Sequence, residues 1–156
     1  MKQHSLKISF TEYEGPDTLD QTRRNLMEKA VEAAAKAYAP YSSYQVGAAA
    51  LLENGEIICG NNQENAAYPS GLCAERVALF YAGSKHPDLA VLRLAIAALR
   101  DGELQSEPIS PCGGCRQVMW EKESTHEHDM EVILCGAKRI RVVSRASALL
   151  PLPFAF

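Results

Sequence analysis

Three cysteines in two clusters fix a contact that any fold of this chain must make. Cys73-Ala74-Glu75-Arg76 and Pro111-Cys112-Gly113-Gly114-Cys115 lie far apart in sequence. Three thiols with these spacings can hold one zinc ion and leave its fourth position open, with the Glu75 carboxylate two residues from the first thiol. An open site beside an acid is the layout of a hydrolytic centre, whereas four protein ligands make a structural knot. The glycines between Cys112 and Cys115 remove side chains that would crowd the ion. A fourth thiolate from Cys59 or Cys135 would close the site, but both sit in apolar strand-like segments, where a buried free thiol is the commoner role.

Periodicity places these clusters at helix starts. Residues 1–16 alternate Leu6, Ile8 and Phe10, which predicts an edge strand ending at Gly15-Pro16. From Thr18 the pattern turns helical through Leu19, Met27, Ala30, Val31, Ala34 and Tyr38, with Asp17 and Thr18 as caps and Pro40 as the stop. Strands are expected over 46–52 and 56–60, joined by the Asn54-Gly55 turn, and over 92–99, 132–135 and 140–143. Helices are expected over 73–82 and from Pro111 to about Lys122, with a helical turn over 146–150. The order α-β-β-α-β-α-β-β implies a three-layer α/β/α fold, its mixed central sheet of roughly five strands covered by helices on both faces. The whole of 1–156 reads as one domain, with 1–16 as an N-terminal extension.

A helix N-terminus favours thiolates through its partial positive charge and free N–H groups. Three thiolates on a dication still leave a local charge of about −1, by formal counting. Arg76 is the group expected to hydrogen-bond the thiolates and withdraw that charge; Arg116 is the alternative. Zinc lowers the pKa of bound water towards about 7, and Glu75 is expected to shuttle protons from that water to the substrate. The polar run Asn61–Asn65 reads, by composition alone, as a solvated turn. Tyr44 reads as a core or loop aromatic, and Glu123–Asp129 as an exposed loop rather than a second metal site.

Taken together, Ala37-Tyr38-Ala39-Pro40-Tyr41-Ser42, Val46-Gly47-Ala48-Ala49, Asn62-Gln63-Glu64-Asn65-Ala66, Tyr68 to Arg76, Ser110 to Gln117 and Leu149-Leu150-Pro151 run in an order that covers most of the chain. On these residues the chain resembles the homotetrameric zinc cytidine deaminases of pyrimidine salvage. The resemblance implies one zinc per subunit on Cys73, Cys112 and Cys115, with Glu75 as the catalytic acid and base. It also implies that Asn62 and Glu64 hold the ribose 3′-hydroxyl, that Tyr44 stacks on the pyrimidine, and that the Ala74 N–H meets the base carbonyl. Ala66, Tyr68 and Phe154 correspond to residues that reach a neighbouring subunit's site, so the tetramer would share its active sites. Gln63 stands where the family usually has an apolar residue, and Tyr44 where Phe is frequent.

Charge narrows the substrate. Net charge is −3 and no stretch forms a Lys/Arg run, whereas a chain that grips nucleic acid carries a basic stripe. A small, roughly neutral ligand fits that charge better, and the resemblance implies that it is cytidine or 2′-deoxycytidine, with a related aminopyrimidine nucleoside such as blasticidin S as the alternative. A non-catalytic zinc module is the remaining rival. Residues Met1–Ser5 lead into no apolar run and no stretch approaches a membrane span. With an odd number of cysteines, three of them in metal-ligand spacing, the expected compartment is the cytoplasm.

Overall fold

The computed structural model describes residues 1–155. Its elements are β1 (Thr11–Tyr13), α1 (Gln21–Ala34), β2 (Tyr44–Leu52), β3 (Ile57–Asn61), α2 (Ala74–Lys85), β4 (Val91–Arg100), β5 (Glu103–Leu104), α3 (Gly113–Thr125), β6 (Glu131–Cys135) and β7 (Ile140–Val143), with short 3-10 turns at Pro16–Thr18, Tyr68–Ser70 and Ala146–Leu149. The strands form one sheet in the order β1-β7-β6-β4-β2-β3, and β5 pairs with β4 beyond the end of β6. The three-layer arrangement and mixed sheet expected from sequence are present, with seven strands rather than roughly five. The edge strand expected within residues 1–16 is present as the three-residue β1; β5, with two residues, was not expected and is too short to register as a period-2 pattern.

Side chains alternate across the sheet and feed two cores. Ala48 and Ala50 of β2, Leu94 and Ile96 of β4, and Val132 and Leu134 of β6 pack with α2 and α3. Ala49, Ala95, Ala97 and Ile133 face the other way, against Leu26, Met27 and Ala30 of α1. Both helix layers lie very close to the sheet. A Cβ added to Gly47 would stand 2.0 Å from Ala30 O in α1, and one added to Gly60 would stand 2.5 Å from Ala78 N in α2.

Topology gathers the site. β3 and β4 both pair antiparallel with β2, so they run in the same direction, and β6 is parallel to β4. Helix α2 follows β3 and α3 lies in the β4-to-β6 crossover. Both helices therefore begin after strands that end at one edge of the sheet, where Asn61 and Arg100 sit opposite the start of β2. The crevice outside the carboxyl ends of such strands is where α/β sheets bind ligands.

Several local expectations are corrected. The helix predicted from Thr18 to Tyr38 is shorter at both ends. Asp20 caps it, accepting from Arg23 N at 3.0 Å, while Thr18 bonds back to Gly15 O. Beyond Ala34 the backbone leaves the helix to pair elsewhere: Tyr38 N donates to Asn62 O at 3.1 Å, and Glu64 N to Tyr38 O at 2.8 Å. Leu6, Ile8 and Phe10 are exposed and precede β1, which pairs with β7 in the register Thr11↔Val142. The supposed loop from Glu123 is still helix through Thr125, and Glu123 is buried.

Candidate active site

The first turns of α2 and α3 supply the centre. Cys73 is the N-cap of α2 and Cys112 the N-cap of α3, where its Sγ accepts from Cys115 N at 3.5 Å. The thiols of Cys73, Cys112 and Cys115 lie within 4.8 Å of one another and form a group suited to a metal, and none is in a disulfide. Cys73 and Cys112 Sγ are 3.9 Å apart. Thiolates at 2.3 Å from a tetrahedral zinc stand about 3.8 Å apart, so the donor set fits that ion. Cys59 and Cys135 are not in the group. Cys135 is buried, and Cys59 is exposed rather than buried because its strand position faces the Lys29 and Glu32 side of α1.

Local electrostatics favour thiolate at Cys73, whose pKa is held down to about 5. The hydrogen bond from Cys115 is the main cause, and Arg76 adds to it. The same bond pushes the Cys115 thiol up, and burial adds to that. Arg76 Nη2 lies 3.5 Å from Cys73 Sγ, and its buried Nε has no partner among the described residues. This resolves the two arginine candidates. Arg76 lies three residues after Cys73, on the same helix face. Arg116 turns away, donating to Pro111 O and Leu149 O, each at 2.9 Å.

Glu75 is 3% exposed at the start of α2. Burial pushes its carboxyl above the usual carboxylate range; its own backbone N–H opposes the shift, and the Cys73 thiolate reinforces it. A raised carboxyl gives up and takes back a proton more readily near neutral pH than an ordinary one. Ala74, the first residue of α2, is fully buried.

Beside the thiols opens a cavity of about 520 Å³ whose walls include Cys73, Arg76, Asn62, Glu64, Tyr68 and Leu72. Asn62 is fixed to the start of β2: its Oδ1 accepts from Val46 N at 2.7 Å and its Nδ2 donates to Tyr44 O at 2.9 Å. Glu64 accepts from Tyr41 N at 2.8 Å and from the Ser42 hydroxyl and N–H. Those donors hold its carboxyl below the usual range, the Ser42 hydroxyl most strongly. The run Asn61–Asn65 is thus anchored by its polar side chains rather than solvated. Tyr41 and Ser42 were not legible as its partners, because their contact with Glu64 is long-range.

Of the remaining expected residues only Tyr68 borders this cavity. Tyr44 opens β2, half-buried, with Arg100 5.9 Å above its ring, and it does not line the cavity. Ala66 is exposed on the loop before Tyr68. Tyr68, 78% exposed, stands edge-on to Tyr41 with centroids 6.2 Å apart. Phe154 lies along α3, bordering a groove with Trp120 and Thr125.

Residues 20–126 match the family described as "Cytidine and deoxycytidylate deaminase zinc-binding region". The chain is 48% identical over 99 residues to a cytidine deaminase of Halalkalibacterium halodurans, spanning 64% of this chain and 70% of that one. It is 42% identical over 96 residues to a cytidine deaminase of Mycobacterium tuberculosis, spanning 62% and 68%. Among solved structures, the cytidine deaminase of Burkholderia pseudomallei superposes with a TM-score of 0.70 at 38% identity, covering 87% of this chain and 100% of that one.

Proposed function

This chain belongs to the cytidine and deoxycytidylate deaminase family, and from that membership we propose that it hydrolyses free cytidine and 2′-deoxycytidine to uridine and 2′-deoxyuridine, releasing ammonia. The observation that carries the reading is the buried Glu75 beside three converging thiols, one of which, Cys73, lines a nucleoside-sized cavity. Cys73, Cys112 and Cys115 would hold a zinc ion, which would supply activated water at neutral pH. Glu75 takes one proton from the water that attacks C4 and passes it to the ring nitrogen; it then takes the proton of the new C4 hydroxyl and gives it to the amino group, so that the C4–N bond breaks, ammonia leaves and the C4 carbonyl forms. Arg76, hydrogen-bonded to Cys73, offsets the negative charge that three thiolates leave on the site. The buried Ala74 N–H is assigned to the base carbonyl.

The cavity wall supports a sugar without a phosphate. A carboxylate offers about four lone-pair sites; Glu64 uses three on Tyr41 and Ser42, which leaves one for a hydroxyl. Asn62 retains one N–H of its fixed amide. We assign both to the ribose 3′-hydroxyl. The only cationic side chain lining this cavity among the described residues is Arg76, and it is turned to Cys73, so a 5′-phosphate has no cation to meet.

We further assign the active form to a homotetramer in which Tyr68, Ala66 and Phe154 reach neighbouring sites. The exposed aromatic surface at Tyr68, Phe80, Tyr81 and Phe154 supports such assembly. Among the described residues no helix is long and apolar enough to cross a membrane, and the five cysteines are free; we assign the chain to the cytoplasm.

The test is turnover on cytidine, deoxycytidine, cytidine monophosphate, cytosine and blasticidin S, measured for the wild type and Glu75→Gln. Both free nucleosides should be preferred. Glu75→Gln should lose about 10²–10⁴-fold in kcat, the range for a positioned proton carrier, while keeping one zinc per subunit. Full turnover by Glu75→Gln, or preference for the monophosphate, would overturn the reading.

A further inference from the structure

Helix α3 does more than carry two thiols: three of its side chains hold the C-terminal segment. Buried Glu123 accepts from Ala146 N at 2.6 Å and Ser147 N at 3.1 Å, at the start of the last 3-10 turn. Arg116 donates to Leu149 O at its end. Farther along the tail, the Gln117 amide brackets one residue completely. Its Nε2 donates to Phe154 O at 2.9 Å and its Oε1 accepts from Phe154 N at 3.1 Å.

This bracket is unusual in what it holds. Paired N–H and C=O bonds to one residue act as a strand partner would, and they fix the direction in which its side chain leaves the backbone. Yet Phe154 is 67% exposed and Leu152 is 89% exposed, so the ordering of this segment is matched by little apolar burial within the chain. The backbone entropy lost in ordering one residue is comparable with the net worth of two such hydrogen bonds. An apolar ring ordered in advance of burial lowers the entropy cost of its later burial against a partner. Gln117 stands two residues after Cys115, so the helix that orders the ring also fixes two of the metal ligands.

We propose that Gln117 is a positioning residue, whose amide clamps the Phe154 backbone to α3 so that the phenyl ring is presented, already ordered, to the nucleoside cavity of a second copy of this chain. The inference rests on the reading that Phe154 serves a neighbouring site. Losing the clamp leaves the chemistry at Cys73, Cys112, Cys115 and Glu75 intact and weakens substrate retention.

The test compares Gln117→Met, which removes both bonds at similar size, with Gln117→Glu, which keeps the acceptor for Phe154 N, and with Phe154→Ala. Gln117→Met should raise KM about tenfold, equivalent to ~1.4 kcal/mol, with kcat within threefold and zinc and subunit number unchanged. Gln117→Glu should fall between it and the wild type. Mixed assemblies then separate positioning from structural damage. When Gln117→Met subunits are co-assembled with Glu75→Gln subunits, every fully active centre belongs to a Gln117→Met subunit. Centres served by a Glu75→Gln neighbour's intact tail should recover the wild-type KM and give a two-component saturation curve. A uniformly raised KM in the mixture overturns the proposal, as does an unchanged KM for Gln117→Met. If Phe154→Ala raises KM and Gln117→Met does not, the clamp alone has failed; if Phe154→Ala has no effect, the shared-site reading has failed with it.

Discussion

Replacing Gly60 with alanine tests whether the closeness of α2 to the sheet sets the metal site. The added Cβ would lie 2.5 Å from Ala78 N, 2.7 Å from Ala74 O and 3.0 Å from Ala78 Cα. Ala74 O and Ala78 N are the pair that an α-helix bonds to each other, so the methyl would enter against the second hydrogen bond of α2, next to the one from Val77 N to Cys73 O. These are backbone atoms and cannot rotate aside as a side chain would. For the 2.5 Å approach to reach the 3.4 Å of an ordinary contact, the helix start must move about 0.9 Å. Cys73 and Glu75 lie in that turn, whereas Cys112 and Cys115 stand on α3 and stay behind. A misplacement of about 1 Å costs on the order of 10²-fold in rate, and overpacking costs about 1–3 kcal/mol in stability. Gly60→Ala should therefore lower kcat/KM for cytidine about a hundredfold and weaken zinc retention against a chelator. Gly47→Ala is the comparison, because its Cβ strikes α1 on the opposite face at 2.0 Å from Ala30 O. It should destabilise at least as much in urea while sparing zinc affinity in the folded fraction. Wild-type kcat/KM and zinc retention in Gly60→Ala would refute the reasoning.

Glu123→Ala removes a buried carboxylate from the N–H groups of Met130, Ala146 and Ser147. With three donors left unmatched, urea denaturation should show a loss of about 3 kcal/mol or more; a loss below about 1 kcal/mol would contradict the assignment. Glu64 titrates below its ordinary value because the Ser42 hydroxyl and the Tyr41 and Ser42 N–H groups bond its ionised form. A depressed folded-state pKa stabilises above the unfolded value, about 4.3, and that contribution is lost as pH falls through the folded value. The difference in Tm between wild type and Glu64→Gln should be level above about pH 5 and shrink on further acidification, and a difference unchanged down to pH 2 would count against these bonds.

The sequence made local chemistry legible and hid contacts across the fold. The two cysteine clusters could be read because ligand spacing within one helical turn is a local property, and the choice of Arg76 followed from its position three residues after Cys73. Glu123 could not be read, since Glu-Lys-Glu-Ser-Thr-His-Glu-His-Asp has the composition of a solvated loop. Its partners, Met130, Ala146 and Ser147, come from segments beyond the helix. The same holds for Glu64, whose neighbours Tyr41 and Ser42 arrive from the far side of β2 and β3. The alternation of Leu6, Ile8 and Phe10 pointed to an edge strand but placed it too early, since only Thr11–Tyr13 pair with β7, and β5 escaped notice because two residues carry no period.

Strand parity explains why the zinc cluster is open although two further cysteines are available. In β3, Gly60 meets α2, as its approach to Ala74 and Ala78 requires. Cys59, one residue earlier, points to the other face and lies beside Lys29 and Glu32 of α1 and Lys36 just beyond it. In β6, Val132 and Leu134 pack with α2 and α3, whereas Ile133 and Cys135 pack with α1. Both spare thiols are thus on the α1 side of the sheet, and the three ligands belong to helix starts on the opposite side. Bringing either thiol to the cluster would require its strand to slip by one residue, which would turn every buried side chain of that strand to the wrong face. For β6 that means exchanging Val132 and Leu134 with Ile133 and Cys135 between two filled cores. The fold therefore withholds a fourth thiolate by sheet alternation, and the remaining position of the cluster stays available to the chemistry at Glu75.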